Sequence, residues 1–343
     1  MSLLYITSDR PSVGKTMLAL SLSEKLRGRG KRIGYYKPFC ESPGSDNDTR
    51  FAWELMSEGD AIPPKGSLPT TLAELHDAGA PDLVDQVKDS IDGMIADYDI
   101  LVVEAPSLHL PQGDLTELSA RMANGLSAQV IVAIGYKPDL TANEVTNLTT
   151  VFENTLLGVV VNSVTRYRRR ELNQNFAEAA AKAGVNFLGA LPEDRLMLSA
   201  TLGQIAEHLH SEWIIGKDKA NDLIEGVLVG GNIMDSGKTY FGRSEAKVVV
   251  VRGDRPDIQM AALSTSIRGL ILTGGRMPLE YVHHEMEKLD VPFMVVPSDT
   301  KTTAEALSSV MELSTPYHLK KLERFEELLD THCDLQDIVA PLG

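Results

Sequence analysis

The chain has 343 residues, with 33 lysines and arginines against 48 aspartates and glutamates, a formal charge of −15. That length exceeds one ordinary domain and leads us to expect two. The negative charge argues against nucleic acid or an anionic membrane surface as a general partner. Composition, 43% hydrophobic and 24% charged, is that of a globular protein. Arg166, Arg168, Arg169 and Arg170 form a single basic cluster with acidic residues close by, and read as a solvated loop and helix start. Cys40 and Cys333 lie far apart without metal-ligand company, as in a reducing compartment. The N-terminus lacks a basic region followed by an apolar stretch, and no apolar run reaches the ~18 residues of a membrane helix, so a cytoplasmic location is expected.

In chain order, strands are expected at Leu3–Thr7, Ile33–Lys37, Ile100–Glu104, Gln129–Ile134, Gly158–Val161 and Asn186–Ala190. Helices are expected near Met17–Arg27, Pro81–Asp97, Leu115–Gly125, Asn143–Asn154 and Arg169–Gly184. Ile100 to Val103 and Val130 to Ile134 are apolar at consecutive positions, the pattern of strands buried on both faces. Alternating β and α segments with long crossovers predict a doubly wound, mostly parallel α/β sheet. The polar segment His208–Asp222 reads as a helical passage to a second, smaller α/β unit. There, strands are expected at Val248–Val251, Gly269–Thr273 and Phe293–Val296, with helices at Pro256–Thr265 and Leu279–Leu289. A further helix starts near Thr303, capped by Thr302 with Glu305 three residues on. A tail helix from Pro316 to Leu329 carries Leu319, Leu322, Phe325 and Leu329 on one face. The expected organisation is therefore 1–212, 222–313 and a helical tail at 314–343.

The run from Tyr5 through Ser8-Asp9-Arg10-Pro11-Ser12-Val13-Gly14-Lys15-Thr16, leading into an amphipathic stretch from Met17, has the layout of a phosphate-cradling loop. Backbone N–H groups at a helix start face the anion, the lysine neutralises charge, and the threonine hydroxyl can reach magnesium. The common spacing wants a glycine five residues before Gly14, where Asp9 stands; Ser8 is the nearest small residue. Nucleotide-binding candidates are thus Ser8, Ser12, Val13, Gly14, Lys15, Thr16 and Met17, with ATP and Mg2+ as expected cofactors.

Other residues agree with this loop. Lys37 ends the second strand before Pro38, which puts a second ammonium at the carboxyl edge of the sheet. Glu104 closes a wholly apolar strand at that edge and suits a magnesium ligand or an orienter of metal-bound water. Asp46 and Asp48 lie in an expected loop and could add a second carboxylate, or serve only the turn. Asn162, after Val159 to Val161, carries an amide able to read a base edge. Lys15, Lys37 and Glu104 are the catalytic candidates; Thr16, Asp48 and Glu104 are the metal candidates.

Ser8 to Thr16, Lys37-Pro38, Asp46/Asp48, Glu104 and Val161-Asn162 together resemble the dethiobiotin synthetase-like P-loop fold. More specifically, with Leu191-Pro192-Glu193-Asp194-Arg195, they are similar to the N-terminal domain of longer phosphotransacetylases over roughly residues 1–212. Gly253-Asp254-Arg255-Pro256-Asp257-Ile258-Gln259 and Leu272-Thr273-Gly274-Gly275 resemble the signature of the DRTGG domain that accompanies it, as does Pro297-Ser298-Asp299-Thr300. The resemblance implies an adenine-nucleotide-binding regulatory or sensor module with slow ATP hydrolysis, without the acetyltransferase domain, which in that family is C-terminal. A separate phosphotransacetylase catalytic protein and a second copy of the chain are the implied partners, the DRTGG domain sensing an effector or forming the oligomer contact. Ala105-Pro106 replace the glycines that follow the strand-end glutamate in dethiobiotin synthetases, and Arg10-Pro11 stiffen the loop. Both departures point away from a biotin-pathway substrate. The alternative is a stand-alone ligase that activates a carboxylate or carbamate with ATP, of the dethiobiotin synthetase or cobyrinate-amidating type; a third reading is an interaction protein with a decayed loop. Gly231 to Thr239 looks like a second phosphate loop, but Tyr240 to Ser244 break any long helix after it, and no second site is expected there.

Overall fold

The computed structural model describes residues 2–42, 44–56, 67–75, 80–94, 96–231, 237–243, 246–339 and 342. It divides into two compact units, one formed by Met1–Glu193 with Pro316–Gly343 and the other by Asp194–Thr315.

In the first unit, strands β1 (Ser2–Ser8), β2 (Ile33–Tyr36), β3 (Ile100–Glu104), β4 (Gln129–Gly135), β5 (Leu156–Val164) and β6 (Phe187–Pro192) form one sheet. The order is β2-β3-β1-β4-β5-β6, and all pairs are parallel. Every residue of β3 is buried, as its unbroken apolar run requires of a strand covered on both faces. Helices α1 (Lys15–Arg27), α2 (Asn47–Met56), α3 (Ala80–Asp92), α4 (Thr116–Gly125), α5 (Ala142–Phe152) and α6 (Arg169–Lys182) supply that cover. The chain leaves β1 toward the β2 edge and leaves β3 in the opposite direction, past β1 to β4, so the direction switches at the carboxyl ends of β1 and β3, where open α/β sheets place ligands. Register delivers the named side chains there: Ile6 pairs with Glu104 on one side and Ile131 on the other, and Gly135 pairs with Asn162.

In the second unit, β7 (Glu212–Ile215), β8 (Gly226–Val229), β9 (Lys247–Arg252), β10 (Gly269–Thr273) and β11 (Phe293–Val295) take the order β7-β11-β10-β9-β8. Only β7 runs antiparallel, at the edge. Alternate residues of β9 serve two cores. Val249 and Val251 meet α8 (Gly237–Phe241), α9 (Pro256–Leu263) and α10 (Glu280–Lys288); Val248 and Val250 meet α7 (Leu202–His208) and Leu307, just past α11 (Thr300–Ala306). The expected architecture, a doubly wound mostly parallel α/β sheet with a second, smaller α/β unit, is the one observed.

Three local expectations are corrected. The Asp46–Asp48 stretch is a helix start: Asp46 accepts the Thr49 N–H at 2.8 Å, the N-cap arrangement, and α2 follows. The His208–Asp222 segment is no helical passage, since Glu212–Ile215 adds a strand, pairing with β11 through Glu212, Trp213 and Ile215. The cap expected at Thr302 sits at Asp299, whose carboxylate accepts the Thr302 N–H at 2.8 Å. Of the second loop-like run, Gly231 to Thr239, residues 232–236 lie outside the described residues, and α8, which starts within the run at Gly237, is five residues long.

The returning segment forms α12 (Leu319–His332) and α13 (Leu335–Val339). Leu322, Phe325, Leu328 and Leu329 bury one face of α12, while Leu319, expected among them, is exposed. Helix α12 packs on α1, and Lys25 pairs with Asp330 at 2.7 Å. Each buried apolar side chain on that face stabilises the docking by about 1.5–3 kcal/mol. Among the described residues no helix is long and apolar enough to cross a membrane.

Candidate functional site

After Ser8 the chain turns, with Ser12 at φ 60° and Gly14 at φ 92°, and α1 begins at Lys15. Gly14 occupies the N-cap position, where its left-handed backbone conformation suits a residue without Cβ. No side chain caps α1 and its first turn carries no acid, so its leading N–H groups and positive dipole end face the loop. That is an anion site in its backbone chemistry.

The loop is braced from three strands. Ser8 Oγ donates to the Arg10 carbonyl at 2.8 Å and shares a hydrogen bond of 2.9 Å with Ser107, just past β3. Asp9 accepts the Gly135 N–H from the end of β4 at 2.9 Å and pairs with Arg10 at 2.6 Å. Asn162, inside β5, donates Nδ2 to the Val13 carbonyl at 2.7 Å. Asp9, in the place of the usual glycine, thus earns its position through side-chain contacts.

Behind the loop lies a mixed cluster of charges. Glu104 is 1% exposed, accepts the Thr16 hydroxyl on Oε1 at 2.9 Å and the Tyr35 hydroxyl on Oε2 at 2.6 Å. Lys15 Nζ stands 4.0 Å from Glu104 and donates to Ser107 Oγ at 3.4 Å. Burial pushes the Glu104 carboxyl above its ordinary range and Asp48 adds to this, while Lys15 and Lys37 pull it back. Lys37 bridges Asp46, at 2.7 Å, and Asp48. Burial disfavours the Lys37 ammonium, but Glu104, Asp48 and Asp46 outweigh it and hold the lysine above its ordinary range. Asp46 is also opposed by burial, yet the Lys37 and Thr49 hydrogen bonds keep it below the usual carboxylate range. Tyr317, in the returning segment, donates to Asp48 Oδ1 at 3.1 Å.

This donor set fits a hard cation held jointly with phosphates. Thr16 and Glu104 sit one hydrogen bond apart beneath the α1 start, and both offer oxygen. Among the described residues no three His, Cys, Asp or Glu side chains converge into an all-protein metal cage. Magnesium bound with a nucleotide needs none, because phosphates and water complete its shell.

Every residue expected from sequence lies at this sheet edge, with differences in how each is used. Met17 is buried, so only its backbone faces the loop. Asn162 stands within β5 rather than after it, and both ends of its amide are engaged, Nδ2 by Val13 and Oδ1 by the Ser163 N–H at 2.8 Å. Ser107, Tyr35 and Tyr317 were not foreseen. Tyr35 was within reach, since strand alternation puts it on the same side as Lys37. Tyr317 was not, because 269 positions separate it from Asp48.

With this geometry in place, comparison with known proteins adds the lineage. Residues 2–201 match the AAA domain family model. The chain belongs to that family. Residues 204–310 match the DRTGG domain model, so this AAA-family chain joins a P-loop-type domain to a DRTGG domain, as expected for the N-terminal region of phosphotransacetylases. Among its relatives, phosphate acetyltransferase of Nitratidesulfovibrio vulgaris is 22% identical over 99% of this chain and 51% of its own length. That of Nitrosomonas europaea is 22% identical over 80% of this chain and 41% of its own. The chain therefore spans about half, or less, of these relatives. Among solved structures, the CBS and DRTGG domains of the regulatory region of Clostridium perfringens pyrophosphatase, complexed with the activator diadenosine tetraphosphate, share 18% identity, with 55% of this chain and 77% of that one covered and a TM-score of 0.30. MinD from Aquifex aeolicus shares 14% identity, with 57% and 83% covered and a TM-score of 0.38. At those scores neither likeness bears on the site.

Proposed function

We propose that the first unit binds magnesium-ATP and that the chain is a regulatory or sensor module of acetyl-phosphate metabolism, with slow ATP hydrolysis. The observation that carries this reading is the uncapped start of α1 at Gly14, with Thr16 bonded to a buried Glu104 and Lys15 beside it. Lys15 and Lys37 would hold the phosphates, while Thr16, Glu104 and Asp48 would hold magnesium. The metal supplies charge neutralisation on the phosphate oxygens. The chain's own residues do the rest: the loop N–H groups orient the phosphates, and Asn162, Asp9 and Ser107 keep the loop in shape. The DRTGG domain would sense an effector or join copies of the chain, and a phosphotransacetylase catalytic protein in the cytoplasm would be the partner regulated.

The test is calorimetric titration with ATP, ADP and GTP, with and without magnesium, of the wild type and Lys15→Ala. The expected result is micromolar binding of ATP, weakened at least about tenfold in Lys15→Ala. A wild type that binds no nucleotide at millimolar concentration would sink the reading.

A further inference from the structure

Asp48 is held from two sides by groups of different origin. Lys37, leaving β2, takes Oδ2, and the Tyr317 hydroxyl takes Oδ1 at 3.1 Å. The Tyr317 ring is itself placed by α2, meeting Phe51 edge-on at 5.8 Å, one turn beyond Asp48. The neighbouring carboxylate behaves differently: Asp46 is committed through Oδ2 to the N–H and hydroxyl of Thr49 as the cap of α2. Of the two aspartates on Lys37, then, Asp48 is the one whose oxygens are held, among the described residues, by side chains alone. Glu104 shows the same construction, one oxygen on the Tyr35 phenol and the other directed to Thr16. Each carboxylate assigned to the metal therefore has one oxygen steadied by a phenol. Tyr317 also stands two residues after Thr315, the last residue of the second unit, so the returning chain meets the site almost at once.

We infer that Tyr317 is a positioning residue of the nucleotide site: its hydroxyl orients Asp48 so that the carboxylate serves a nucleotide-bound magnesium while Lys37 serves the phosphates. This rests on the magnesium-ATP reading of the site. It makes the segment after the DRTGG domain a working part of the P-loop unit, not an appendage to it.

The test compares full-length wild type, Tyr317→Phe, Asp48→Asn and the double variant by calorimetric titration with ATP, in excess magnesium and in EDTA. Tyr317→Phe keeps the ring against Phe51 and removes only the donor. The expected result is a loss of about tenfold in affinity with magnesium, the scale of a hydrogen bond to a charged group, and less than about a twofold change in EDTA. In the Asp48→Asn background the same substitution should add less than about twofold. Equal losses with and without magnesium would mean a merely structural tyrosine and would overturn the inference, as would no loss at all. Additive losses in the double variant would overturn it too. A wild type that binds no nucleotide would take down the proposed function and this inference together, whereas wild-type binding with an unaltered Tyr317→Phe sinks the inference alone.

Discussion

Asn162 and Val13 are joined by a hydrogen bond of 2.7 Å from the Asn162 side-chain nitrogen to the Val13 carbonyl. The same nitrogen lies 2.7 Å from where a Cβ on Gly14 would stand, so strand β5 and the phosphate loop fit together at this point with no room to spare. An amide expected to read a base is, in this structure, spent on the backbone that would cradle phosphate. The two roles differ in what they do to selectivity.

Replacing Asn162 by Ala leaves the Val13 carbonyl without its partner and frees the loop. ATP and GTP should weaken together, by roughly 3–10-fold, as one hydrogen bond in a partly buried site is lost. A change in the ATP-to-GTP preference beyond about threefold would return Asn162 to a base-reading role. Calorimetry with both nucleotides decides it.

Glu104→Gln keeps the shape of a buried side chain and removes its charge. The glutamine oxygen can still accept from Thr16 or Tyr35, but an amide is a poor ligand for magnesium beside a carboxylate. The expected outcome is a loss of about tenfold or more in magnesium-supported ATP affinity, with metal-free ATP bound as well as before or better, since a negative charge near the phosphates has gone. Identical magnesium dependence in the two proteins would show that Glu104 takes no part in holding the metal.

Much of the fold was legible because its determinants are local. Ile100 to Val103 and Val130 to Ile134 have the pattern of strands covered on both faces, and they are such strands. Gly14-Lys15-Thr16 announces a helix start with nothing acidic in its first turn. What stayed hidden depends on competition or distance. Asp46, Asn47 and Asp48 have the composition of a turn, and the Asp46 bond to the Thr49 N–H makes the stretch a helix entrance instead. Thr302 and Asp299 both make plausible caps, and the chain uses the earlier one. At the site, Lys37 and Glu104 could be placed by strand ends alone. Ser107 and Tyr317 could not, because their positions depend on how the chain turns after β3 and on where α12 docks.

That docking rests on Gly189. It has φ 150°, and a Cβ there would stand 2.2 Å from the His332 carbonyl and 2.8 Å from Cys333 Sγ. The chain beyond α12 runs along β6 at this point, Cys333 bridging Gly189 and the Asp334 N–H reaching the Leu188 carbonyl at 2.9 Å. Gly189→Ala should destabilise the first unit by about 2–4 kcal/mol, from backbone strain and overpacking together. Limited proteolysis should cut the 316–343 segment sooner in the variant than in the wild type. Equal resistance of the two proteins would show that the close approach at Gly189 does not hold the segment down.

Lys321, on α12, is 1% exposed, and burial lowers its ammonium to about 8 from an ordinary 10.5. The sign of the pH effect follows. Between about 8 and 10.5 the unfolded chain carries the proton and the folded protein has shed it, so stability rises with pH across that window. Above it the contribution is complete, and it is lost as pH falls through about 8. Tyr35 and Tyr317, whose phenols burial pushes up, act in the opposite sense at the alkaline end, so the wild type alone cannot isolate the lysine. The difference between wild type and Lys321→Met does, because both tyrosines are common to the two proteins. Urea midpoints from pH 7 to 10.5 should show wild type gaining on the variant only above about pH 8. Parallel curves would mean that Lys321 keeps its proton in the folded state.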